Sequence, residues 1–228
     1  MKIFILLLSL FIFLPVSLAS APENLPDIAY YKIIDNFNNY KVGEFPNKWR
    51  TWPFQKDKVK QVYKVKQEDN FKFMQAYDDK NYSVQALRKF YWPIDQYPYL
   101  TWKWRATLLP KGAKESNDAT NDSACGVYVI IGQFSGHALK YAWSTTLPKG
   151  EVVTRRDDKL KIVIKETGAK TINQWQQVSV NVLDDYKKYF GQDLAKNPSG
   201  IAILTDGNAV QKPAGCDYAD FVISKTGH

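Results

Sequence analysis

Three side chains have the types needed for acid–base chemistry on an acidic sugar. In the run HALKYAWS, residues 137–144, the alternation of a β-strand would place His137 and Tyr141 on one face. His137 could act as a general base and Tyr141 as a general acid, while Arg105 would neutralise the carboxylate of the substrate. Together these residues define one candidate activity, β-elimination from an acidic polysaccharide.

A second interpretation uses overlapping residues to bind a glycan without turnover. Arg105 would hold an anionic group, and Asp122 would accept hydrogen bonds from sugar hydroxyls. Tyr141 would donate a hydrogen bond, and Trp143 would stack on a sugar ring. Tyr141 and Trp143 are two residues apart on one predicted strand, so they share a face and can serve one site.

The missing motifs favour binding over catalysis. The sequence has no phosphate-binding loop, no G-x-S-x-G elbow and no H-E-x-x-H helix. It also lacks the E-x-D-x-E cluster of many sandwich glycosidases, which weakens a retaining hydrolase. We therefore expect a non-catalytic glycan- or cell-envelope-binding protein. A polysaccharide lyase or hydrolase is the alternative, and a structural envelope protein without a small ligand is the third.

Two loops contain oxygen ligands of the kind that hard cations prefer. They are residues 115–124, ESNDATNDSA, and residues 204–210, LTDGNAV. Ca²⁺ takes six to eight oxygens, but neither loop has the spacing of a calcium motif, and both patterns are typical of turns. The chain has 2 histidines, which excludes a multi-histidine site. We expect no metal and no cofactor, with a structural calcium as the lesser alternative.

The start of the chain predicts export. Met1 and Lys2 precede an apolar run, residues 3–14, and Ala19-x-Ala21 follows as a cleavage signal. The run is short for a membrane span, so we predict a signal peptide at residues 1–21 and a single domain at residues 22–228. This places the protein in the periplasm or outside the cell, with no transmembrane segment after cleavage.

Charge and cysteine content fit that compartment. The formal net charge is +8, with the lysines spread along the chain, which is typical of a solvated surface and also suits anionic glycans. Nucleic acid is not expected outside the cytoplasm, and the sequence does not specify an oligomeric state. The two cysteines, Cys125 and Cys216, predict one disulfide in an oxidising compartment, with two buried thiols as the alternative.

The elements that must position these residues are almost all strands. Eleven short runs rich in Val, Ile, Tyr, Phe and Trp lie between residues 28 and 224, separated by turn-forming segments. The spacing predicts an all-β fold, a β-sandwich of jelly-roll type. One of these runs is KVKQVYKVKQ, residues 58–67. One short helix is predicted at residues 183–191, with Asp184 as its cap and Gly191 at its end.

The strand YLTWKWRAT, residues 99–107, can be read in two ways. Alternation puts Trp102 and Trp104 on one face and Lys103 and Arg105 on the other. The two indoles could form the core between the sheets, which leaves Arg105 on the outer face. Alternatively, they could lie on an outer sheet and stack on sugar rings. We favour the core.

Several segments together resemble the uncharacterised bacterial family known as domain of unknown function 3047. These are the W-x-W-R strand, the N-D-x-A loop, the K-Y-x-W-S strand and the D-Y…F-G helix, and the resemblance extends over about residues 33–224. It implies an exported protein without an established activity. The recurring positions of the family correspond to Trp102, Trp104, Arg105, Asn121, Asp122, Tyr141, Trp143, Ser144, Asp185, Tyr186, Asp206 and Asp220.

The chain departs from this family at two points. Cys125 replaces a small or basic residue and Cys216 precedes the last strand, which together favour a lineage-specific disulfide. LTDGNAV also differs from the more acidic D-x-D-N form. In addition, the opening D-N-F…G…P…W and the closing D-Y-A-D-F-V-I-S resemble the terminal strands of galactose-binding-like jelly rolls. That resemblance implies paired terminal strands near a structural calcium and a fold that often binds carbohydrate.

Overall fold

The computed structural model describes residues 30–131 and 136–227. The predicted signal peptide, residues 1–21, therefore lies outside the described residues. Among the described residues, none of the helices combines the length and the apolar character needed to cross a bilayer.

The described residues form two β-sheets, two helices and one short 3-10 turn. The strands are β1 (Tyr31–Asp35), β2 (Tyr63–Glu68), β3 (Phe71–Asp78), β4 (Ala86–Lys89), β5 (Tyr99–Leu108), β6 (Ser123–Ile131), β7 (Ala138–Ser144), β8 (Val152–Arg155), β9 (Leu160–Thr167), β10 (Gln176–Asn181), β11 (Pro198–Asp206) and β12 (Ala214–Ser224). The helices are α1 (Lys56–Val62) and α2 (Val182–Phe190), and the 3-10 turn is Asp118–Thr120. The predicted β-sandwich is confirmed, with one more helix than the sequence indicated.

The strand order explains why distant segments meet. Sheet A has the order β10-β5-β12-β3-β2, with β1 also paired to β12. Sheet B has the order β4-β11-β6-β7-β9-β8. Strands β3 and β5 flank β12, while β4 and β6 flank β11, because the chain crosses between the sheets at each step from β3 to β6 and from β9 to β12, in the jelly-roll manner. The terminal strands β1 and β12 are paired, as the resemblance to galactose-binding-like folds implied.

Aromatic side chains from both sheets fill the space between them. Trp102 and Trp104 of β5 are fully buried, with ring centroids 5.3 Å apart in an edge-to-face arrangement. Trp102 packs on Tyr141 and Trp104 on Trp143, at centroid distances of 5.5 and 6.1 Å. The core interpretation of the W-x-W pair is therefore confirmed, and the inward-facing side chains of β7 belong to the same core.

The predicted disulfide is also confirmed, and it joins the two sheets. Cys125 lies on β6 of sheet B and Cys216 on β12 of sheet A, and both are fully buried. Their Cα atoms are 5.5 Å apart, and 91 positions separate them in sequence. The bond therefore fixes the two layers to each other through the centre of the core.

The helices differ in part from the sequence predictions. The start of KVKQVYKVKQ forms α1 rather than a strand, and Val59 and Val62, three residues apart, both face the core. The predicted helix α2 exists, but its N-cap is Asn181, whose side chain accepts a hydrogen bond from the backbone of Asp184. Gly191 ends α2 with a φ of 68°, as predicted. Strand β8 was not predicted.

The disulfide gives the first testable prediction. Because it closes a loop of 91 positions, the double variant Cys125→Ala/Cys216→Ala should lose roughly 4–5 kcal/mol of unfolding free energy relative to the oxidised protein. Denaturant titration measures this loss. A reductant should destabilise the wild-type protein and leave the double variant unchanged. A loss below about 1 kcal/mol would contradict a structural role for the bond.

Candidate functional site

The three residues of the proposed β-elimination do not meet. Arg105 lies on the outer face of sheet A, whereas Tyr141 is fully buried between the sheets. The Tyr141 hydroxyl donates to Asp185 at 2.9 Å, and burial together with this carboxylate raises the pKa of Tyr141. His137 stacks on Phe190 at 4.4 Å between ring centroids. Elimination by this trio therefore has no geometric basis, because Arg105 is on the outer face of sheet A and Tyr141 is buried between the two sheets.

Arg105 faces outward as predicted, but other protein groups occupy its guanidinium. It donates to Asp217 at 2.7 and 2.9 Å and to Glu68 at 2.7 and 3.1 Å. It also lies over the rings of Trp175 and Phe73, 4.7 and 5.3 Å from their centroids. The Arg105 side chain is 16% exposed. Four of its five N–H groups donate to carboxylates of sheet A and both carboxylates balance its charge, so it is committed to the fold rather than to a ligand.

The remaining residues of the predicted binding set are buried. Trp143 is fully buried, and its indole donates to the carbonyl of Gly168 at 3.1 Å, so no face of the ring is open to a sugar. Asp122 is fully buried and accepts a hydrogen bond from the backbone of Val210 at 2.8 Å. Alternation along β7 explains the burial of Trp143, because the odd-numbered residues of that strand point into the core. The predicted four-residue binding surface is therefore not assembled in the structure.

A different set of residues converges on the outer face of sheet B. The even-numbered residues of β7 point away from the core, and they include Lys140. Above them is a cavity of about 390 Å³, which we call the Lys140 cavity. It is lined by Ser83, Asp118, Asn121, Tyr128, Lys140, Arg155, Arg156, Leu160, Ile162, Leu204, Asp206, Asn208 and Ala209.

The floor of the Lys140 cavity is apolar. Leu160 and Ile162 of β9, Leu204 of β11 and the Tyr128 ring of β6 belong to a second hydrophobic cluster, separate from the core between the sheets. All four are at least nine-tenths buried. The outer face of sheet B is thus a second buried surface, and polar groups project from it into the cavity.

Lys140 places a positive charge on this apolar face of sheet B. The residue is 2% exposed, and its ammonium donates to the Ser123 hydroxyl at 3.0 Å. Ser123 donates in turn to Glu115, itself fully buried, at 2.8 Å. Burial acts to lower the pKa of Lys140, but nearby Tyr128, Asp206 and Glu115 raise it above its ordinary value. The lysine is therefore held as a cation by acceptors that surround it.

Gly126 makes this position of Lys140 possible. It lies on β6, and a Cβ added there would be 2.8 Å from Lys140 Cε and 3.1 Å from the carbonyl oxygen of Leu204. A methyl group cannot fit between the strand and the lysine without moving the side chain. The glycine is therefore needed for the lysine to lie flat across the sheet.

Asp206 supplies the opposing charge. It is 5% exposed and accepts hydrogen bonds from the Ser83 hydroxyl at 3.2 Å and the Ser123 backbone at 3.3 Å. Burial raises its pKa to about 6, with Asp122 adding to the rise and Lys140 opposing it. Groups with such shifted pKa values inside a cavity are frequent at functional sites.

Two loops complete the site. The Asp78 carboxylate accepts from the backbone N–H groups of Lys80, Tyr82 and Ser83 at 3.1, 3.2 and 2.9 Å, which fixes Ser83 against Asp206. The loop before β6 contributes Asn121 to the cavity wall, and its buried side-chain oxygen has no hydrogen-bond partner among the described residues. A small movement of this side chain would turn that acceptor toward the cavity.

The sequence analysis found part of this site. The two loops considered as cation ligands do meet here, through Asn121, Asp206 and Asn208. Among the described residues, no group of three or more His, Cys, Asp and Glu side chains is arranged to hold a metal ion. Lys140 and Tyr128 were missed as site residues. The available signal was Lys140 between Ala138 and Ala142, a single cation on the outward face of a central strand.

The raised pKa of Asp206 gives a prediction for stability. Because the folded state disfavours its ionisation, the contribution of Asp206 to stability should fall as pH rises from about 3.8 to about 6, and then stay level. Asp206→Asn avoids this cost, so from pH 4 to pH 7.5 it should gain about 2–3 kcal/mol relative to the wild type. Urea unfolding at the two pH values measures the change. If the difference in unfolding free energy between the variant and the wild type did not change with pH, the raised pKa of Asp206 would be contradicted.

Several solved structures are similar to this chain at low sequence identity. The family 29 carbohydrate-binding module from Piromyces equi is 11% identical, with 86% of this chain and 90% of that chain covered and a TM-score of 0.36. The family 11 module of a cellulosomal cellulase from Clostridium thermocellum is 9% identical, with coverages of 86% and 95% and a TM-score of 0.41. The xyloglucanase domain of a type three effector from Sinorhizobium fredii, in complex with cellobiose, is 8% identical, with coverages of 81% and 100% and a TM-score of 0.39.

The comparison with curated proteins found no match. The model of one family, described as a protein of unknown function, matches residues 47–222. The chain therefore belongs to the family of proteins of unknown function DUF3047.

Proposed function

We propose that this protein binds a sugar unit of a glycan in the Lys140 cavity, without turning it over. The observation that carries the proposal is the combination of an apolar floor with polar groups projecting above it in one cavity of about 390 Å³. That volume is within the range of small-molecule sites, about 300–1,000 Å³. A glycan or another component of the cell envelope is the proposed partner.

The chemistry of a pyranose ring fits this arrangement. Its C–H face is apolar and would lie on Leu204, Ile162 and the Tyr128 ring, which gains hydrophobic contact. Its hydroxyls point outward in the plane of the ring. They would donate to Asp206 and to the unpaired oxygen of Asn121. The apolar face of the sugar would therefore contact the cavity floor, and its hydroxyls would bind the polar groups above that floor.

Binding without turnover is proposed because the two strongest polar groups are already held by the protein. The Lys140 ammonium is bonded to Ser123, and Asp206 accepts from Ser83 and Ser123. The members of the acid–base trio of the alternative lyase are apart: Arg105 is on the outer face of sheet A, Tyr141 is buried between the sheets, and His137 stacks on Phe190. A lyase or hydrolase would instead release a new reducing end or an unsaturated sugar, which is a direct assay for that alternative.

The disulfide supports the proposed location. A buried bond between Cys125 and Cys216 is typical of proteins that fold in an oxidising compartment. Together with the predicted signal peptide, it supports a periplasmic or secreted protein. Glycans of the envelope are abundant there.

The binding test uses an array of neutral and acidic glycans, followed by calorimetry on the best ligand. Asp206→Ala removes the carboxylate that would accept the sugar hydroxyls, so affinity should fall about 30-fold, the value of one hydrogen bond to a charged group. Gly126→Ala displaces the Lys140 ammonium without removing it, so affinity should fall about 30-fold. Near-ultraviolet circular dichroism checks that both variants are folded.

The matched control is Gln177→Ala, because Gln177 is an exposed polar residue on the outer face of sheet A. It should bind as the wild type does. Equal losses in Gln177→Ala and in the cavity variants would place the glycan elsewhere. Absence of binding to every glycan of the array would overturn the proposal and favour the structural envelope protein.

A further inference from the structure

The turn between β8 and β9 lies at the mouth of the Lys140 cavity and has an unusual backbone. Arg156, Asp157 and Asp158 follow one another with φ values of 54°, 50° and 68°. Left-handed backbone is uncommon for residues other than glycine, and a run of three is rare. Such backbone persists where surrounding contacts hold it in place, and it is concentrated at ligand-binding sites.

Contacts on both sides of the turn hold it in place. Asp158 forms an ion pair with Lys161, which also donates to the Thr154 hydroxyl at 3.1 Å. Lys159 donates its backbone N–H to the carbonyl of Arg156 at 3.1 Å. The next residue, Leu160, is already part of the cavity floor. The turn is thus anchored at its base, and its two arginines extend over the cavity.

The two arginines differ in how far the protein uses them. Arg155 forms an ion pair with Asp118, and its side chain is 18% exposed. Arg156 is exposed, and among residues 30–131 and 136–227 no carboxylate lies within ion-pair distance of it. Arg156 also lines the Lys140 cavity together with Tyr128. A cation held at the mouth of a binding cavity without a counter-ion is available for an anionic group.

The charges of the cavity are arranged in layers. Asp206 and Glu115 are buried at the base around the ammonium of Lys140, and Asp122 is buried near Asp206. The two arginines and Asp118 are at the mouth. An anion would be repelled at the base and attracted at the mouth, whereas hydroxyls suit the base. The site therefore has a defined polarity from base to mouth.

Resting on the proposed function, we infer that the bound sugar unit is a uronic acid whose carboxylate is recognised by Arg156, with Arg155 beside it. The guanidinium fork matches the two oxygens of a carboxylate. The hydroxyls of the same ring would face the base of the cavity, where Asp206 and Asn121 accept them. The unusual turn then serves to keep the cation over the ring rather than in open solvent.

The test compares each acid with its own neutral derivative. Oligosaccharides containing galacturonate or glucuronate are measured by calorimetry beside their methyl esters, which keep the ring and the linkage and remove the charge. Neutral glucose and galactose oligomers are measured as well. The acid should bind the wild-type protein at least about tenfold more tightly than its ester, and this preference should shrink as salt increases.

Arg156→Gln is the decisive variant, and Lys159→Gln is its control, since both residues are exposed cations on the same turn. Arg156→Gln should remove the preference for the acid, because affinity for the acid should fall about tenfold or more while affinity for the ester falls much less. Lys159→Gln should keep the preference.

Three results would overturn the inference. The first is an ester that binds as tightly as its acid, which leaves the proposed function standing. The second is an acid preference that survives Arg156→Gln, or is lost equally in Lys159→Gln. The third is absence of binding by acids, esters and neutral oligomers alike, in which case the proposed function itself fails.

Discussion

The burial of one ammonium group on the outer face of sheet B organises the candidate site. An amine in apolar surroundings keeps its charge only if acceptors surround it, because desolvation of an unpaired ion is costly. Lys140 meets this condition through the Ser123 hydroxyl, with Glu115 bonded behind it and Asp206 nearby. These acceptors come from the loop before β6, from β6 and from β11. The lysine therefore draws distant segments of the chain to one point and leaves a polar cavity above an apolar floor.

The two outer faces of the sandwich use charge differently. On sheet A, Glu68, Asp217 and two aromatic rings enclose the Arg105 guanidinium, so its charge is balanced within the protein. On sheet B, Arg156 is an exposed cation of the cavity, and no carboxylate of the described residues lies within ion-pair distance of it. A cation that is neutralised by the protein stabilises the fold, whereas an exposed cation at a cavity is suited to binding an anionic group. This contrast places the candidate site on the outer face of sheet B rather than on the outer face of sheet A, where Arg105 lies.

Alternation along single strands predicted much of this arrangement. It assigned Trp102 and Trp104 to one face and Arg105 to the other, and it put Tyr141 and Trp143 together on one face of β7. The disulfide was predicted because the chain has two cysteines and is expected to fold in an oxidising compartment. These inferences held because they depend on neighbouring residues or on the chain as a whole, and not on the order of strands in the sheets.

The parts that sequence could not predict depend on contacts between distant positions. Arg105 is neutralised by Glu68 and Asp217, which are 37 and 112 positions away, so its commitment to the fold is invisible in its own strand. Lys140 on an outward face is expected to be solvated, unless that face is known to be covered. Helix α1 was mistaken for a strand because its two buried valines, three residues apart, precede a true alternating strand without a break.

The central claim is that ligand recognition takes place on the outer face of sheet B. Amide chemical-shift mapping by heteronuclear NMR, with an acidic oligosaccharide titrated into the isotope-labelled protein, tests this claim most directly. The account predicts that the shifted amides cluster around Tyr128, Lys140, Leu160 and Asp206, with the outer face of sheet A unchanged. Shifts centred on Arg105 and Trp175, with the Lys140 cavity unaffected, would contradict it.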